Sequence, residues 1–533
     1  MSRALPPLVL LLLGLLTLAW WLPNRPVPMA SVPGRLNSVS FAPFRAGQSP
    51  LEGVFPTAAE VEADIALLAP HVRAIRTYAA IGGDYDVAAL AAKHGVKLWQ
   101  GIWLGADRAQ NRREIARAVE VARRYPDTVE RVIVGNEVLL RRDLLPEELI
   151  AAIETVRAAV RQPVTYADVW EFWEQFPEVA AHVDIVTIHL LPYWEDVPTG
   201  VDRAIAHVVT TWRRMAALFP GKKVAIGETG WPSRGRPRAD AAPGAVAQAR
   251  FMRGFLQAAQ AEGFDYNLIE AFDQGWKYRH EGTVGANWGL WTEAREQKSA
   301  LAGPVAEDPL WLWHAGLSGL FGLLLLGFGL VGPGLGRAAQ FQLAVLAMAL
   351  GGAFGYAVAG SWPVAYDAYL FVAAIGNLAG QMVMAVLLMR RAHAILAGER
   401  PGWRNGAQAT AAMRALLRWR FPVGWPDGLL DDLAFLFVWT AAVLQLLLVL
   451  DPRYRDFPLP VFAVPLVAVA ARAWLRDLPR GGGGREEAWA GGVLALSALA
   501  GAVREGPLNP ASLVWTVAAL VLATPPLLRL SRG

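Results

Sequence analysis

A chain of 533 residues that is 54% hydrophobic, with its apolar residues gathered toward the two ends, reads as one soluble domain inside a membrane protein. The formal net charge of +4 comes from arginines in short connections between apolar runs, which removes the reason to invoke a nucleic-acid partner. Cysteine is absent, so no disulfide framework and no thiolate metal site can be built, as suits a cell-envelope protein that does not rely on disulfides.

From Leu5 to Leu22 no charge interrupts the chain, Arg3 precedes the run, and Trp20 and Trp21 sit at its far edge as interfacial aromatics. Residues 1–23 are therefore expected to form a signal-anchor helix. A cleavable signal peptide is the alternative, since Met29-Ala30-Ser31 offers small residues; either way the following domain is exported.

The exported domain, 31–303, has the length of one α/β barrel. Short apolar runs at 37–42, 73–78, 96–102, 131–136, 163–167, 183–189, 222–228 and 265–272 are the strand candidates. Helical signals separate them: Thr57-Ala58-Ala59-Glu60 is a capping box ahead of Val61, Ile65 and Leu68, and Pro146 opens a helix with the stripe Ile150, Ile153, Val156 and Val160. Eight alternating units predict a closed (β/α)8 TIM barrel. Two motifs carry chemistry. Gly135-Asn136-Glu137 follows Val132-Ile133-Val134, and Gly227-Glu228-Thr229-Gly230-Trp231-Pro232-Ser233 begins just past Val224-Ala225-Ile226. Each puts a glutamate at the carboxyl end of a barrel strand, the fourth and the seventh, where such folds hold their catalytic groups. Paired carboxylates suit glycosidic chemistry: in a retaining reaction Glu228 attacks the anomeric carbon while Glu137 gives, then takes, a proton. Burial of the acid and mutual repulsion are expected to drive their pKa values apart.

With Asn287-Trp288-Gly289-Leu290, these motifs resemble the signature of family-17 glycoside hydrolases, the β-1,3-glucanases and β-1,3-glucanosyltransferases. Arg76-Thr77-Tyr78, Leu191-Pro192-Tyr193-Trp194 and Phe272-Asp273-Gln274-Gly275-Trp276-Lys277 support the resemblance. It implies a (β/α)8 barrel, a retaining mechanism, Glu137 as general acid/base, Glu228 as nucleophile and Asn136 on the sugar 2-hydroxyl. Candidate substrate-binding residues are Asn136, Arg76, Tyr78, Tyr193, Trp231, Asp273, Trp276, Lys277, Glu281 and Trp288. The chain departs from plant members at Leu191 and at Gly285-Ala286, where they carry an aromatic and an acidic residue; Glu281 is the candidate for a similar acidic contact. The Glu281-Gly282-Thr283-Val284-Gly285 version is similar to bacterial, membrane-linked members, some of which transfer glucan chains or form β-1,6 linkages. His189, at the end of the sixth strand, has no clustered metal-ligating spacing and is expected to be a hydrogen-bonding residue of the barrel mouth; no metal and no organic cofactor is implied.

Residues 309–533 are expected to form an all-α polytopic transmembrane bundle of about seven helices, near 309–332, 339–361, 367–389, 432–450, 458–475, 488–503 and 511–528. Counted from a cytoplasmic Met1, the basic connections fall inside: Arg337; Arg390, Arg391, Arg400, Arg404, Arg414, Arg418 and Arg420; Arg472, Arg476, Arg480 and Arg485; Arg529 and Arg532. This implies a multi-pass protein with an exported barrel, and with the resemblance to bacterial, membrane-linked members it implies a bacterial inner membrane with the barrel in the periplasm. Asp431 and Asp432 near an inner edge, with Asn377 and Gln381, are the notable polar residues of the spans, which favours an anchoring bundle over an ion-coupled transporter. Gly481-Gly482-Gly483-Gly484 reads as a flexible loop, without the strand and lysine of a phosphate-binding loop. Expected partners are β-glucan, membrane lipid and a membrane glucan synthase. The competing reading, from another class, is a non-catalytic glucan-binding or export subunit beside such a synthase.

Overall fold

The computed structural model describes residues 4–530 apart from 33, 333, 400–417, 419–426 and 479–484. Arg3, Arg400, Arg404, Arg414, Arg420, Arg480, the Gly481–Gly484 run and Arg532 lie outside the described residues. The chain forms two compact units, Pro26–Val305 and Met1–Arg25 with Ala306–Gly533.

The first unit is a closed barrel of eight parallel strands in sequential order. They are β1 (Leu36–Ser40), β2 (Val72–Arg76), β3 (Lys97–Ile102), β4 (Val129–Asn136), β5 (Val164–Val169), β6 (Ile185–His189), β7 (Lys223–Thr229) and β8 (Asp265–Leu268). All eight fall within or beside the apolar runs that predicted them, because a strand buried on both faces must be apolar almost throughout. The eighth is shorter than its run. It pairs with β1 at Val39 and Leu268; beyond it the Ile269 and Ala271 N–H groups still reach the Thr229 and Ser40 carbonyls at 2.9 Å, and Phe272 bridges Trp291.

Between the sheet and its helices lies a continuous apolar core that includes Val61, Ile65, Leu68, Leu98, Val132, Ile153, Val186, Ile226, Met252 and Phe255. The helix Ala58–Leu68 starts at the expected capping box, Thr57 and Glu60 each satisfying the other's backbone N–H. The helix Pro146–Arg157 buries Leu149, Ile153 and Val156. Its buried stripe is thus centred one position from the expected one: Ile150 is only half-buried, and Val160 lies beyond the helix end. Inside the barrel, Ala74, Trp99, Ile133 and Ala167 form a separate small cluster. The Arg131 guanidinium caps it, 3.9 Å from the Trp99 ring centre and paired to Asp265 at 2.8 Å. These side chains fill the barrel at that level, as in a packed core and not a pore.

Three ladder irregularities gather at the carboxyl ends of the strands: between Ile133 and Asn136, between Ile188 and His189, and between Ile226 and Thr229. A local register shift re-aims the side chains that follow it, and these shifts fall where Asn136, His189 and Glu228 stand.

In the second unit each of the seven apolar runs coincides with a helix: Trp311–Gly329, Arg337–Ser361, Ala368–Leu396, Asp427–Leu450, Ala463–Trp474, Arg485–Glu505 and Pro510–Leu530. Among the described residues, six helices are long and apolar enough to cross a membrane, the N-terminal Leu5–Asn24 and five of these; Leu459–Trp474 is shorter, and Arg485–Glu505 is not among the six. The N-terminal helix packs into this unit, with Trp20 Nε1 donating to Ser318 Oγ at 3.0 Å and Asn24 Oδ1 accepting from the Asp308 N–H at 3.0 Å. The polar residues of the spans are not scattered. Asp431 pairs with Arg472 at 2.7 Å, Arg472 with Asp477 at 3.2 Å, and Asp477 with Arg391 at 2.6 Å, all buried. Mutual pairing makes such burial tolerable.

Arg253, buried on the helix Ala245–Glu262, donates to the carbonyls of Met29, Ala30, Ser299, Ala300 and Gly303 and ties together the two ends of the barrel unit. Substituting Arg253→Met leaves those carbonyls unpaired, at a cost of about 2–3 kcal/mol. Thermal unfolding of the detergent-solubilised protein, followed by tryptophan fluorescence, is expected to show the barrel transition about 5 °C lower.

Candidate active site

Glu137 follows β4 with a left-handed backbone, φ 53° and ψ 35°. A non-glycine residue there is strained by about 1 kcal/mol or more and persists only when its surroundings hold it. They do. The Glu137 N–H reaches the Ala167 carbonyl at 2.8 Å, and the Leu139 N–H reaches Tyr166 Oη at 3.0 Å. Tyr166 in turn donates to Asp168, whose other oxygen takes the Val169 N–H at 2.8 Å. Arg141 donates to the Asn136 carbonyl and, at 2.7 Å, to the Leu104 carbonyl. Gly135, at φ 89°, makes the turn into this segment; a Cβ there would lie 2.6 Å from Val138 Cγ2.

Glu228 lies near the end of β7, with its side chain 6% exposed against 24% for Glu137. Its Oε1 accepts from Arg76 Nη1 at 3.1 Å and from Tyr78 Oη at 2.9 Å. Tyr78 Oη is 2.8 Å from Ser40 Oγ, which receives Asn267 Nδ2 at 2.8 Å. Arg76 also donates to the Gly227 carbonyl at 2.6 Å and to Asn136 Oδ1 at 2.5 Å. His189, fully buried, sets Nδ1 2.9 Å from Glu137 Oε1 and Nε2 3.7 Å from Glu228 Oε1. One oxygen from each glutamate and one histidine nitrogen lie within 4.8 Å of one another. Three such donors could in principle hold a cation. Here the Arg76 guanidinium already stands against Glu228 and 3.5 Å from His189 Nε2, so a side chain supplies the positive charge. His189 is the hydrogen-bonding residue expected at the barrel mouth.

The electrostatics correct one expectation. Burial pushes the Glu137 carboxyl up, but the His189 hydrogen bond and charge, followed by the Arg141 and Arg76 charges, outweigh it and hold the group below the usual carboxylate range. Behind it, burial raises Asp168 to about 6. Desolvation also drives the Tyr78 and Tyr166 phenols upward, so both remain neutral donors.

Of the other candidates, Arg76, Tyr78 and Asn136 join the two glutamates. Tyr193, Trp231 and Trp288 do not offer a face to sugar: they are 0%, 0% and 2% exposed and pack on one another. The Tyr193 hydroxyl donates to the Arg236 carbonyl at 2.5 Å and Trp231 Nε1 to the Ala242 carbonyl at 3.1 Å, so their polar tips find backbone partners behind the rim. Asp273 is likewise internal. It pairs with Lys298 at 2.6 Å and accepts the Gly289 N–H at 2.9 Å, fixing the Asn287-Trp288-Gly289 segment. Trp276 is half-buried, with Nε1 on Gln274 Oε1 at 2.8 Å. Lys277 pairs at 2.9 Å with Glu270, a residue that sequence reasoning passed over. Burial lifts Glu270 to about 7, while Glu270 and Glu281 together outweigh the effect of burial on Lys277 and raise it. The signal for Glu270 was the one used twice before, a glutamate after an apolar run; the strand expected to reach residue 272 concealed it.

Residues 38–289 match the model of the BtgE/BtgC glycoside hydrolase domain. The matched segment lies within the barrel unit and covers just under half of the chain. The chain is 29% identical over 231 residues to the glucan 1,3-beta-glucosidase of Schizosaccharomyces pombe, covering 40% of this chain and 72% of that protein. It is 27% identical over 282 residues to the probable glucan endo-1,3-beta-glucosidase btgC of Aspergillus clavatus, of which it spans 40%. Among solved structures, an active-site mutant of Rhizomucor miehei beta-1,3-glucanosyltransferase in complex with laminaritriose is 25% identical, with 50% of this chain and 97% of that one covered and a TM-score of 0.44. These likenesses fall on the unit that carries Glu137 and Glu228.

Asp168 binds its proton more tightly folded, with a pKa of about 6, than at its ordinary 3.8. The stability this contributes is complete below the ordinary value and is lost as pH rises through about 6. Denaturation midpoints of the barrel are expected to fall across that window in the wild type and to stay flatter in Asp168→Asn.

Proposed function

We propose that the barrel is a retaining β-glucan-active enzyme that cleaves β-1,3-glucan, with Glu228 as nucleophile and Glu137 as general acid/base. One observation carries the reading: oxygens of the two glutamates lie within 4.8 Å of each other across the barrel mouth. Retaining glycosidases hold their carboxyls about 5–5.5 Å apart, whereas inverting ones leave room for a water at about 6.5–9.5 Å. The environments also divide the roles. Glu228 is the more buried and receives a guanidinium and a phenol hydrogen bond, which stabilise a carboxylate ready to attack. Glu137 is the more exposed, which suits a group that exchanges its proton with leaving and incoming oxygens.

The β-1,3-glucan donor is inferred from relatives described as glucan 1,3-beta-glucosidases. The covalent intermediate passes to water or to a second glucan, giving hydrolysis, elongation or a β-1,6 branch. The six long apolar helices support a membrane-anchored enzyme, and the arginine-rich connections on one side support a barrel on the opposite, periplasmic face; lipid and a glucan synthase are the partners this reading proposes.

Laminari-oligosaccharides incubated with the solubilised protein test this directly: shorter products alone mean hydrolysis, longer chains or β-1,6 linkages mean transfer. Glu228→Gln is expected to abolish turnover, a loss of about 10⁴-fold or more. Azide is expected to restore Glu137→Ala with an activated substrate, and Glu137→Gln less well. Full activity in either glutamate variant removes the assignment.

A further inference from the structure

We propose that His189 is a positioning residue whose Nδ1–H donates to Oε1 of Glu137 and thereby reserves Oε2 for the catalytic proton. This rests on the acid/base role proposed above for Glu137.

The two nearest polar neighbours of the imidazole make opposite demands. Its Nδ1 is 2.9 Å from Glu137 Oε1, and its Nε2 is 3.5 Å from Arg76 Nη1. A guanidinium only donates, so Nε2 must present its lone pair there, and the proton of the neutral ring belongs on Nδ1. The charged and titratable groups around the ring do not all pull one way: Glu228 Oε1, 3.7 Å from Nε2, is an acceptor, but it lies farther off than Arg76 Nη1 and already takes the Arg76 and Tyr78 donors. Arg76 faces it from β2, Glu137 from the end of β4, and Glu228 from β7; Asp168 on β5 acts on it at longer range, and Arg141 acts on Glu137. The ring is fully buried, so water does not compete for Nδ1.

An oxygen that already accepts Nδ1–H cannot also carry an acidic hydrogen toward the same nitrogen. Glu137 Oε2 has no side-chain or backbone hydrogen-bond partner among the described residues, so it alone can hold the proton. In the first half-reaction that proton passes from Oε2 to the departing glycosidic oxygen as the C–O bond breaks and the Glu228 carboxylate bonds the anomeric carbon. In the second, the incoming hydroxyl returns a proton to Oε2 as its oxygen displaces Glu228. One oxygen then serves both steps, which keeps the leaving and accepting positions the same.

Removing the donor should weaken the carboxylate form and let Glu137 keep its proton to higher pH, by about one unit. Two substitutions separate this from a merely structural role. His189→Asn places an amide N–H near the Nδ1 position, whereas His189→Gln extends it toward Nε2. Two readouts are used on the full-length protein in detergent: the alkaline limb of kcat/KM on laminari-oligosaccharides, and the pH titration of the infrared carboxyl band that Glu137→Gln lacks. We expect His189→Gln to move both upward by about one pH unit and to lower kcat about tenfold with little change in KM, and His189→Asn to leave both near the wild type. A glutamine variant that titrates with the wild type, or an asparagine variant shifted as far as glutamine, overturns the proposal. Asparagine decides it alone where glutamine is not tolerated, because a shift of about one unit in it is contradictory. A wild type that turns over no glucan would sink the functional reading while the infrared titration still judges the histidine.

Discussion

The rim of this barrel is organised around one buried cation. Arg76, 1% exposed, reaches Glu228, the Gly227 carbonyl and Asn136, and closes on His189. An arginine so placed must be paired, and its planar fork distributes donors to β4, β6 and β7 at once. Without it, a buried glutamate and the histidine beside it would have no compensating charge. With it, the nucleophile candidate has a cationic hydrogen-bond donor, and the residue before the acid/base candidate is locked in the same network.

The second constraint is backbone strain at Glu137. Its left-handed conformation turns the side chain across the mouth toward Glu228, and the surrounding bonds from Tyr166, Asp168, Ala167 and Arg141 maintain it. The ladder irregularities beside Asn136, His189 and Glu228 belong to the same pattern, local departures where side chains must converge.

Much of this was legible in the residues. Strands buried on both faces leave continuous apolar runs, so the barrel could be counted, and the glutamates after the fourth and seventh runs stood out by position. Arg76, Tyr78 and Asn136 were named as sugar contacts, and the structure gives them hydrogen bonds with the carboxylates or with each other. Tyr193, Trp231 and Trp288 misled because an aromatic near a strand end looks the same in sequence whether its face is open or covered; here they cover one another. Glu270 was overlooked because β8 ends at Leu268, earlier than its apolar run suggested. In the helical unit the runs were visible, but the pairing of Asp431, Arg472, Asp477 and Arg391 was not, since those residues come from distant segments.

Local chemistry therefore determined the element types, the barrel count, the apolar helices and the identity of the two glutamates, because periodicity and residue type are properties of neighbours along the chain. Tertiary structure alone decided the separation of the carboxylates, the orientation of His189 between them and the sign of the pKa shift on Glu137. Those depend on through-space distances between strands that are dozens of residues apart in sequence, and hydrogen bonding and Coulomb energy respond to such distances directly.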